Sequence, residues 1–313
     1  MRPLRLGTRG SRLATTQSRW VADLLEKVVP GLRVELVEIR TRGDVIRDVP
    51  LVPALGQSFF TKEIEDALLD GRVDLAVHSC KDLATRLPDG LEIAATPERE
   101  DPRDVLVSPH GALADLPAGA RVGTSSMRRK GFLAAARPDL ELRDQRGNVP
   151  TRLRAVEEGA VDAVVLAAAG LARLGLAGTG APIDPDVLLP AAAQGALAVQ
   201  VRTDDEEVRT VVARIGHAPT RQAVEAERAC LRRLEAGCQA PVGVLAEAGA
   251  DGLRVRAAIA TPDGLLRAER SGAPGGAEGL GSTLAEELLG RLGVTSLRAL
   301  GWAGPPPRAA GGS

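Results

Sequence analysis

The chain has 313 residues, which is too long for one ordinary hydrophobic core, so two or three domains are expected. Its 40 lysines and arginines nearly balance its 41 aspartates and glutamates, so the overall charge gives no reason to expect nucleic acid or an anionic membrane as a partner. The N-terminus lacks the apolar core of a signal peptide, no segment has about 18 uninterrupted apolar residues, and the cysteine count is odd; these features predict a soluble, cytoplasmic protein.

The N-terminal segment predicts a strand, a glycine turn and a helix. Leu4 and Leu6 begin the strand, and GTRGS at residues 7–11 forms the turn. Apolar residues then recur at helical spacing from Leu13 to Val28, with Ser11 as the N-cap. Backbone N–H groups at a helix start attract anions, and Arg9 lies beside them, so this turn is a candidate anion site.

A second candidate region follows the next strands. Residues 34–39 alternate as a strand, and a helix carrying Phe60 and Ile64 comes after a long polar segment. Residues 73–77 read as a buried parallel strand that ends in His-Ser-Cys-Lys-Asp. Open α/β sheets bind ligands at the carboxyl ends of their strands, so Ser79, Lys81 and Asp82 are candidate site residues.

The middle of the chain repeats the succession of strand, glycine-containing turn and helix. A strand at Arg121-Val122 leads through the turn at residues 123–126 into a helix over 127–136 that begins with Arg128 and Arg129. Two cations in a first helical turn oppose the helix dipole by about 0.3 to 1 kcal/mol each, which predicts an anion beside them. Further strands and helices follow, with Arg152 and Arg173 on the helices.

The polar run around Asp101 and the segment around Gln194 predict the two connections between paired lobes, as in a periplasmic-binding-protein-like clamshell. A helix over 220–234 then leads to a smaller last domain. Strands at residues 242–245, 253–260 and 265–270, with a hairpin turn at 262–264, and a covering helix at 282–292 complete it.

Cys238 lies on a glycine-flanked turn in the segment LEAGCQAPVG. No other cysteine or histidine stands at zinc spacing to it, so no metal is expected there. A buried small residue, a nucleophile and a covalent tether all remain open for a thiol in this context.

Across nearly the whole chain the residues resemble the porphobilinogen deaminases, also called hydroxymethylbilane synthases. The resemblance rests on ten segments in the correct order: GTRGS, TRGDV, AVHSCKDL, EREDPRDV, GTSSMRR, RGNVPTRL, AAAGLARLG, AAAQGALAV, AERACLRRLEAGCQAPVG and STLAEELLG. Any one of these is weak, whereas ten in order are highly specific.

The resemblance implies an α/β fold with two type II periplasmic-binding-protein-like lobes that form a cleft, plus a smaller C-terminal α+β domain with a three-stranded sheet. Residues 1–98 and 199–216 would form lobe 1, and residues 99–198 would form lobe 2. Residues 217–304 would form the cofactor-attachment domain, and residues 305–313 a disordered tail. A monomer is expected.

The implied reaction is the deaminating condensation of four porphobilinogen molecules onto a covalent dipyrromethane primer, followed by hydrolytic release of the linear tetrapyrrole. Cys238 would carry the dipyrromethane through a thioether, and Asp82 would be the catalytic carboxylate with Lys81 beside it. The residues implied to bind the cofactor are Ser79, Lys81, Thr124, Ser125, Ser126, Arg128, Arg129, Arg146 and Gly147. Those implied to bind the substrate are Arg9, Ser11, Phe60, Arg146, Arg152, Arg173 and Gln194. No metal is implied.

Two departures from the family pattern concern the segment Gln57-Ser58, where lysine and glycine are common, and Ala84, where proline is usual. Two other functions stay open on the residues alone. A non-catalytic clamshell for an anionic metabolite would need the same arginines but an unmodified Cys238. A cysteine-nucleophile hydrolase would need a histidine near Cys238, and none is close in sequence.

Overall fold

A computed structural model of the chain describes residues 2–41, 61–237, 240–249 and 252–297. The predicted contributions of Phe60, Gln57-Ser58 and Cys238, and the predicted tail over 305–313, lie outside these residues. The chain divides into two compact units, one within residues 1–100 and 195–222 and the other within residues 101–194 and 223–313.

The first unit is a mixed five-stranded sheet with helices packed on it. Its strands are β1 (Leu4–Thr8), β2 (Val34–Glu38), β3 (Leu75–Ser79), β4 (Leu91–Ala95) and β10 (Leu197–Arg202), in the order β2-β1-β3-β10-β4. The strands β1, β2 and β3 are parallel, whereas β10 runs antiparallel to β3 and β4. Its helices are α1 (Arg12–Val28), α2 (Lys62–Leu69) and α6 (Glu206–Ala213).

Helix α1 forms where the sequence predicts it. The Ser11 side chain accepts a hydrogen bond from the Ala14 backbone N–H at 3.3 Å, which satisfies a donor that the first helical turn leaves without a partner. Val21 and Leu25, one helical turn apart, are fully buried against the sheet. The capped turn therefore fixes the loop that carries Arg9 at the carboxyl end of β1.

The second unit contains a sheet of the same order. Strands β5 (Asp104–Val107), β6 (Arg121–Gly123), β7 (Glu141–Arg143), β8 (Ala163–Ala167) and β9 (Ala181–Pro182) pair as β7-β6-β8-β5-β9. Helices α3 (Met127–Ala136), α4 (Val149–Glu157) and α5 (Ala168–Arg173) connect them. Strand β5 is the antiparallel member here, in the place that β10 has in the first sheet.

The rest of the second unit is an antiparallel sheet of β11 (Val242–Gly249), β12 (Gly252–Thr261) and β13 (Gly264–Gly272), with helix α8 (Ala277–Leu292) and helix α7 (Ala218–Leu234) from residue 223 onward. Leu245 and Ala258 share a buried cluster with Phe132 of α3 and with Leu188 and Leu189. The three-stranded sheet therefore packs directly on the part of the chain that follows β5.

The predicted fold class, two α/β lobes and a C-terminal domain with a three-stranded sheet, is confirmed. The order of the predicted elements is also confirmed, with three differences, one of which is the short strand β9, which was not predicted. Strand β3 begins at Leu75 rather than residue 73 and continues through His78 and Ser79. Strand β5 was not predicted, because its first residue, Asp104, ends a run of polar residues and yet is fully buried.

The chain passes between the two units at residues 100/101, 194/195 and 222/223. The domain boundaries inferred from sequence, at 98/99, 198/199 and 216/217, stay predictions. Within the described ranges, no helix has both the length and the apolar character needed to cross a bilayer.

Candidate active site

Asp82 lies on a single helical turn, Cys80–Asp82, directly after the carboxyl end of β3. The Cys80 N–H donates to the Ala196 carbonyl at 3.0 Å, and the Leu83 N–H donates to the Cys80 carbonyl at 3.2 Å, so the turn is held on both sides. The Asp82 side chain is exposed, and no residue in the described part of the chain hydrogen-bonds to its carboxylate. The backbone of this turn is therefore fixed, and the Asp82 carboxylate on it is accessible as a hydrogen-bond acceptor.

Ser79 and Ser11 both have structural partners. The Ser79 hydroxyl and the Gln17 side-chain amide of α1 are 3.2 Å apart, and Gln17 is itself buried. Ser11 caps α1. These bonds bring the carboxyl end of β3 and the start of α1 together, which the sequence predicted only as two separate turns.

His78, one residue before Ser79, is buried within β3. Burial lowers the pKa of its imidazole to about 4, the Gln200 side chain opposes the shift by hydrogen bonding, and the charge of Arg9 lowers the pKa further. His78 is therefore held in its neutral form at pH 7, as a buried member of the strand rather than a charged group of the site.

Arg128 and Arg129, at the start of α3, both pair with Asp104. Nη1 of Arg128 donates to Oδ2 of Asp104 at 2.7 Å, and Nη2 of Arg129 donates to Oδ1 at 2.7 Å. All three side chains are at least nine-tenths buried, and burial lowers the pKa of Arg128. The anion that the sequence predicts at this helix start is thus supplied, at least in part, by the chain itself.

Donors remain on one of these guanidinium groups. Arg129 also uses its Nη1 on the Val165 carbonyl, whereas Arg128 uses Nη1 on both Asp104 and the Leu189 carbonyl. Among the described residues, nothing accepts from Nε or Nη2 of Arg128. The assignment of Arg128 to cofactor binding stays a prediction, and these two donors could serve a carboxylate of the cofactor.

Gln194 belongs to the same buried group. Its side-chain amide donates to the Pro102 carbonyl at 2.8 Å and to Asp104 at 3.1 Å. The preceding residue, Ala193, has the positive φ of 60°, and its N–H donates to the buried carboxylate of Glu227 on α7. Gln194 therefore fixes the Asp104 cluster, and its assignment to the substrate stays a prediction.

The turn at residues 124–126 precedes α3 and caps its first turn. Ser126 is the N-cap of the helix and accepts from the Arg129 N–H at 3.4 Å, while the Thr124 N–H donates to the Arg143 carbonyl at 2.8 Å. Thr124 is fully buried. The Ser125 hydroxyl is buried and has no hydrogen bond of normal geometry with a described residue, although it lies close enough to the Asp144 carboxylate to help lower the pKa of Asp144.

The turn before α4 carries Arg146, Gly147 and Arg152. Gly147 has φ +110°, and a Cβ there would lie 2.8 Å from the Thr151 side chain, so only glycine fits. Nε of Arg152 donates to the Gly147 carbonyl at 2.8 Å. Arg146 is exposed on this turn, and Arg173 ends α5 in a partly exposed position.

Arg152 is a cation in an unfavourable place. Burial, and secondarily the charge of Arg129, lowers the pKa of Arg152 to about 10. No carboxylate among the described residues pairs with it. Since an anion beside the guanidinium would relieve both effects, Arg152 is suited to binding a carboxylate.

The two cysteines that the structure describes are both buried, and burial together with the charge of Glu227 raises the pKa of the Cys230 thiol to about 12. Neither is suited to covalent attachment at neutral pH. The described residues also include no cluster of histidine, cysteine, aspartate and glutamate that could hold a metal ion.

Sequence reasoning missed Asp104 and Gln17. Asp104 belongs to the polar segment EREDPRDV, which the sequence predicted as a connection between lobes because polar runs are usually exposed. Nothing in that segment indicated a buried charge. Gln17 lies within the helix predicted from Leu13 to Val28, where an amide among the apolar residues was a signal for a buried polar partner.

Comparisons with known proteins cover nearly all of the chain. The family model described as "Porphobilinogen deaminase, dipyromethane cofactor binding domain" matches residues 4–210, and "Porphobilinogen deaminase, C-terminal domain" matches residues 221–290. A porphobilinogen deaminase from Moorella thermoacetica is 52% identical over 92% of this chain and 93% of that protein. One from Syntrophobacter fumaroxidans is 51% identical over 92% and 94%.

Proposed function

Because this chain belongs to the porphobilinogen deaminase family, we propose that Asp82 is its catalytic carboxylate and that Cys238 holds its dipyrromethane cofactor. The chain is a transferase of tetrapyrrole biosynthesis that condenses four porphobilinogen molecules, with loss of ammonia, into hydroxymethylbilane. When bound, the dipyrromethane supplies the free pyrrole carbon to which substrate is added.

The observation that carries the proposal is the open carboxylate of Asp82 on its fixed turn. Loss of ammonia from porphobilinogen leaves an electron-poor carbon and spreads positive charge onto the pyrrole nitrogen. A carboxylate that accepts the pyrrole N–H hydrogen bond stabilises that charge. It can also pass a proton to the leaving amine and take one from the new carbon–carbon junction.

The residues present fit a group that carries several carboxylates. Arg152 is an unneutralised cation, Arg128 keeps a free donor edge, and the Ser125 hydroxyl is buried without a bond of normal geometry. We propose that the side chains that hold the cofactor are those of Arg128, Ser125, Arg129, Arg146, Thr124, Ser126, Ser79 and Lys81, together with the turn at Gly147. Arg9, Ser11, Arg146, Arg152, Arg173 and Gln194 would hold substrate, and Lys81 and Ser79 would lie beside Asp82.

Cys238 is proposed as the attachment point by its sequence context and by exclusion. It follows Gly237 between α7 and β11, whereas Cys80 and Cys230 are buried. Phe60 remains a proposed substrate contact from the resemblance. We further propose that the protein is cytoplasmic and monomeric. Light scattering at several protein concentrations tests the monomeric state.

We expect Asp82→Asn to lose bilane formation by at least about a hundredfold, since an amide keeps the size of the side chain but not its charge or basicity. Asp89→Asn, at another exposed aspartate on the same stretch after β3, is the matched control and should turn over normally. Circular dichroism checks that both variants fold. Near-normal turnover by folded Asp82→Asn would remove Asp82 from the mechanism.

A further inference from the structure

Glu227, on α7, is a fully buried carboxylate that accepts hydrogen bonds from two backbone N–H groups. One donor is the N–H of Ala193, in the segment that leads to Gln194, and the other is the N–H of Ala246 on β11, at 2.7 Å. Each donor reaches a different oxygen of the carboxylate, and such bonds to the charged form offset the cost of burying it. The Glu227 side chain therefore fixes two separate segments of the chain to α7.

Ala193 is held in a backbone conformation that alanine disfavours. Its φ is 60°, and among the described residues only Ala193 and Glu235 are non-glycine residues of positive φ. The Gln194 N–H donates to the Ala191 carbonyl at 2.9 Å, which closes a turn with Ala193 at its third position. A positive φ at that position favours glycine, because a Cβ crowds the backbone there. The hydrogen bond to Glu227 therefore holds a turn that its own sequence does not favour.

This turn sets the direction of the Gln194 side chain. The Gln194 amide donates to the Pro102 carbonyl at 2.8 Å and to Oδ1 of Asp104 at 3.1 Å. The same oxygen of Asp104 accepts from Nε and Nη2 of Arg129. If the Ala193 backbone left the left-handed region, the side chain of the next residue would swing away from Asp104. The conformation of Ala193 therefore governs one contact of the buried group that holds the start of α3.

We propose that Glu227 is a positioning residue for ligand binding, because by holding Ala193 in its left-handed conformation it directs the Gln194 amide toward Asp104. The proposal rests on the proposed function only in taking Gln194 and the arginines at the start of α3 as ligand-binding residues. It differs from a plain tether between α7 and β11, which would depend on the Ala246 contact and not on the backbone conformation of Ala193.

The proposal predicts that glycine at position 193 rescues the loss of the Glu227 carboxylate. An amide has one acceptor oxygen where the carboxylate has two, so in Glu227→Gln one of the two N–H groups faces a donor. The strained turn at Ala193 is the part expected to move, since β11 is also held by its ladder with β12. Glycine adopts a positive φ without strain, so Ala193→Gly should keep the turn closed when the carboxylate is gone.

Glu235→Gly is the matched control for this rescue. Glu235 also has a positive φ, of 52°, but it is exposed just after the last residue of α7 and is not part of the turn before Gln194. The substitution relieves the same kind of backbone strain at another place. It should therefore leave Glu227→Gln as impaired as before.

Two measurements follow the turn and its consequence for binding. Hydrogen exchange of the Gln194 N–H, which closes the turn, should become at least about tenfold faster in Glu227→Gln and should return toward the unaltered rate in the double variant with Ala193→Gly. In the cofactor-loaded protein, Glu227→Gln should raise the KM for porphobilinogen about three- to tenfold with kcat nearly constant, the size expected for one lost hydrogen bond. The double variant should recover the KM of the unaltered chain.

The proposal is overturned if folded Glu227→Gln leaves either the Gln194 exchange rate or KM unchanged, or if adding Ala193→Gly restores neither, as a tether would require. If Glu227→Gln does not fold, Glu227→Asp takes its place with the same expectations, because its shorter side chain cannot reach both N–H groups. Failure of Ala193→Gly to restore that variant counts against the proposal in the same way.

Gln194→Leu separates this inference from the proposed function. A normal KM in that variant would show that Gln194 is not needed for ligand binding and would overturn the inference, although bilane formation by the unaltered chain would still support the proposed function. If the unaltered chain forms no bilane, the proposed function itself fails, whereas the exchange rate of the Gln194 N–H still tests whether Glu227 holds the turn.

Discussion

At the scale of single residues, the site is defined by which charges are already satisfied. Asp104 neutralises much of the charge of Arg128 and Arg129 inside the protein, whereas Arg152 and Asp82 have no described partner of opposite charge. A buried pair held by several hydrogen bonds keeps its geometry, while an open charge is available to a ligand. The roles of neighbouring arginines therefore differ even though their sequence context looks alike.

His78 gives a pH dependence of stability with a definite sign. Its pKa in the folded protein, about 4, lies below the ordinary histidine value of 6.5, so the unfolded chain takes up a proton first as the pH falls. The stability that neutral His78 contributes is present above pH 6.5 and is lost between about pH 6.5 and 4. From pH 7 to pH 5 the loss should be about 2 kcal/mol.

Urea unfolding at the two pH values measures this loss, and His78→Asn is the comparison because it cannot titrate. The variant should be less stable at pH 7 but should change much less between pH 7 and pH 5. An equal pH dependence in both proteins would show that His78 is not the titrating group.

At the scale of elements, α3 is held on one side by Asp104 of β5 and on the other by a close approach to β12. A Cβ at Gly131 would lie 2.4 Å from the Cβ of Ala260, well inside contact distance. The helix that begins with Arg128 and Arg129 therefore sits directly on the strand whose Ala260 N–H bonds to the Pro241 carbonyl, three residues after Cys238. Glycine at 131 lets the arginine helix and the base of the proposed cofactor turn come together.

We expect Gly131→Ala to destabilise the protein by about 1 to 3 kcal/mol, because the added methyl group forces α3 and β12 apart. Gly290→Ala, in α8 with nothing within 4 Å of the added Cβ, is the matched control. It should stabilise by up to about 1 kcal/mol through helix propensity. Urea unfolding gives both values, and a stabilising Gly131→Ala would contradict the close packing.

At the scale of the whole molecule, sequence periodicity was enough for the order of elements, because most of them have one clear apolar face. It failed at β5, where the first residue is a charge whose burial depends on two arginines about 25 positions later. The candidate site likewise has a part that the sequence predicts and a part that only the structure shows. The motifs located Asp82 and the arginines, but which arginines are internally paired depends on long-range contacts that no local pattern records.

The central claim is that Cys238 carries a covalent dipyrromethane, and the mass of the intact protein tests it most directly. Protein produced with porphobilinogen available should exceed the mass of the bare sequence by two condensed pyrrole units. Cys238→Ala should lack that increment, while Cys230→Ala, at a buried cysteine, should keep it. An unaltered chain with the mass of its bare sequence, or a Cys238→Ala variant that retains the increment, would contradict the account.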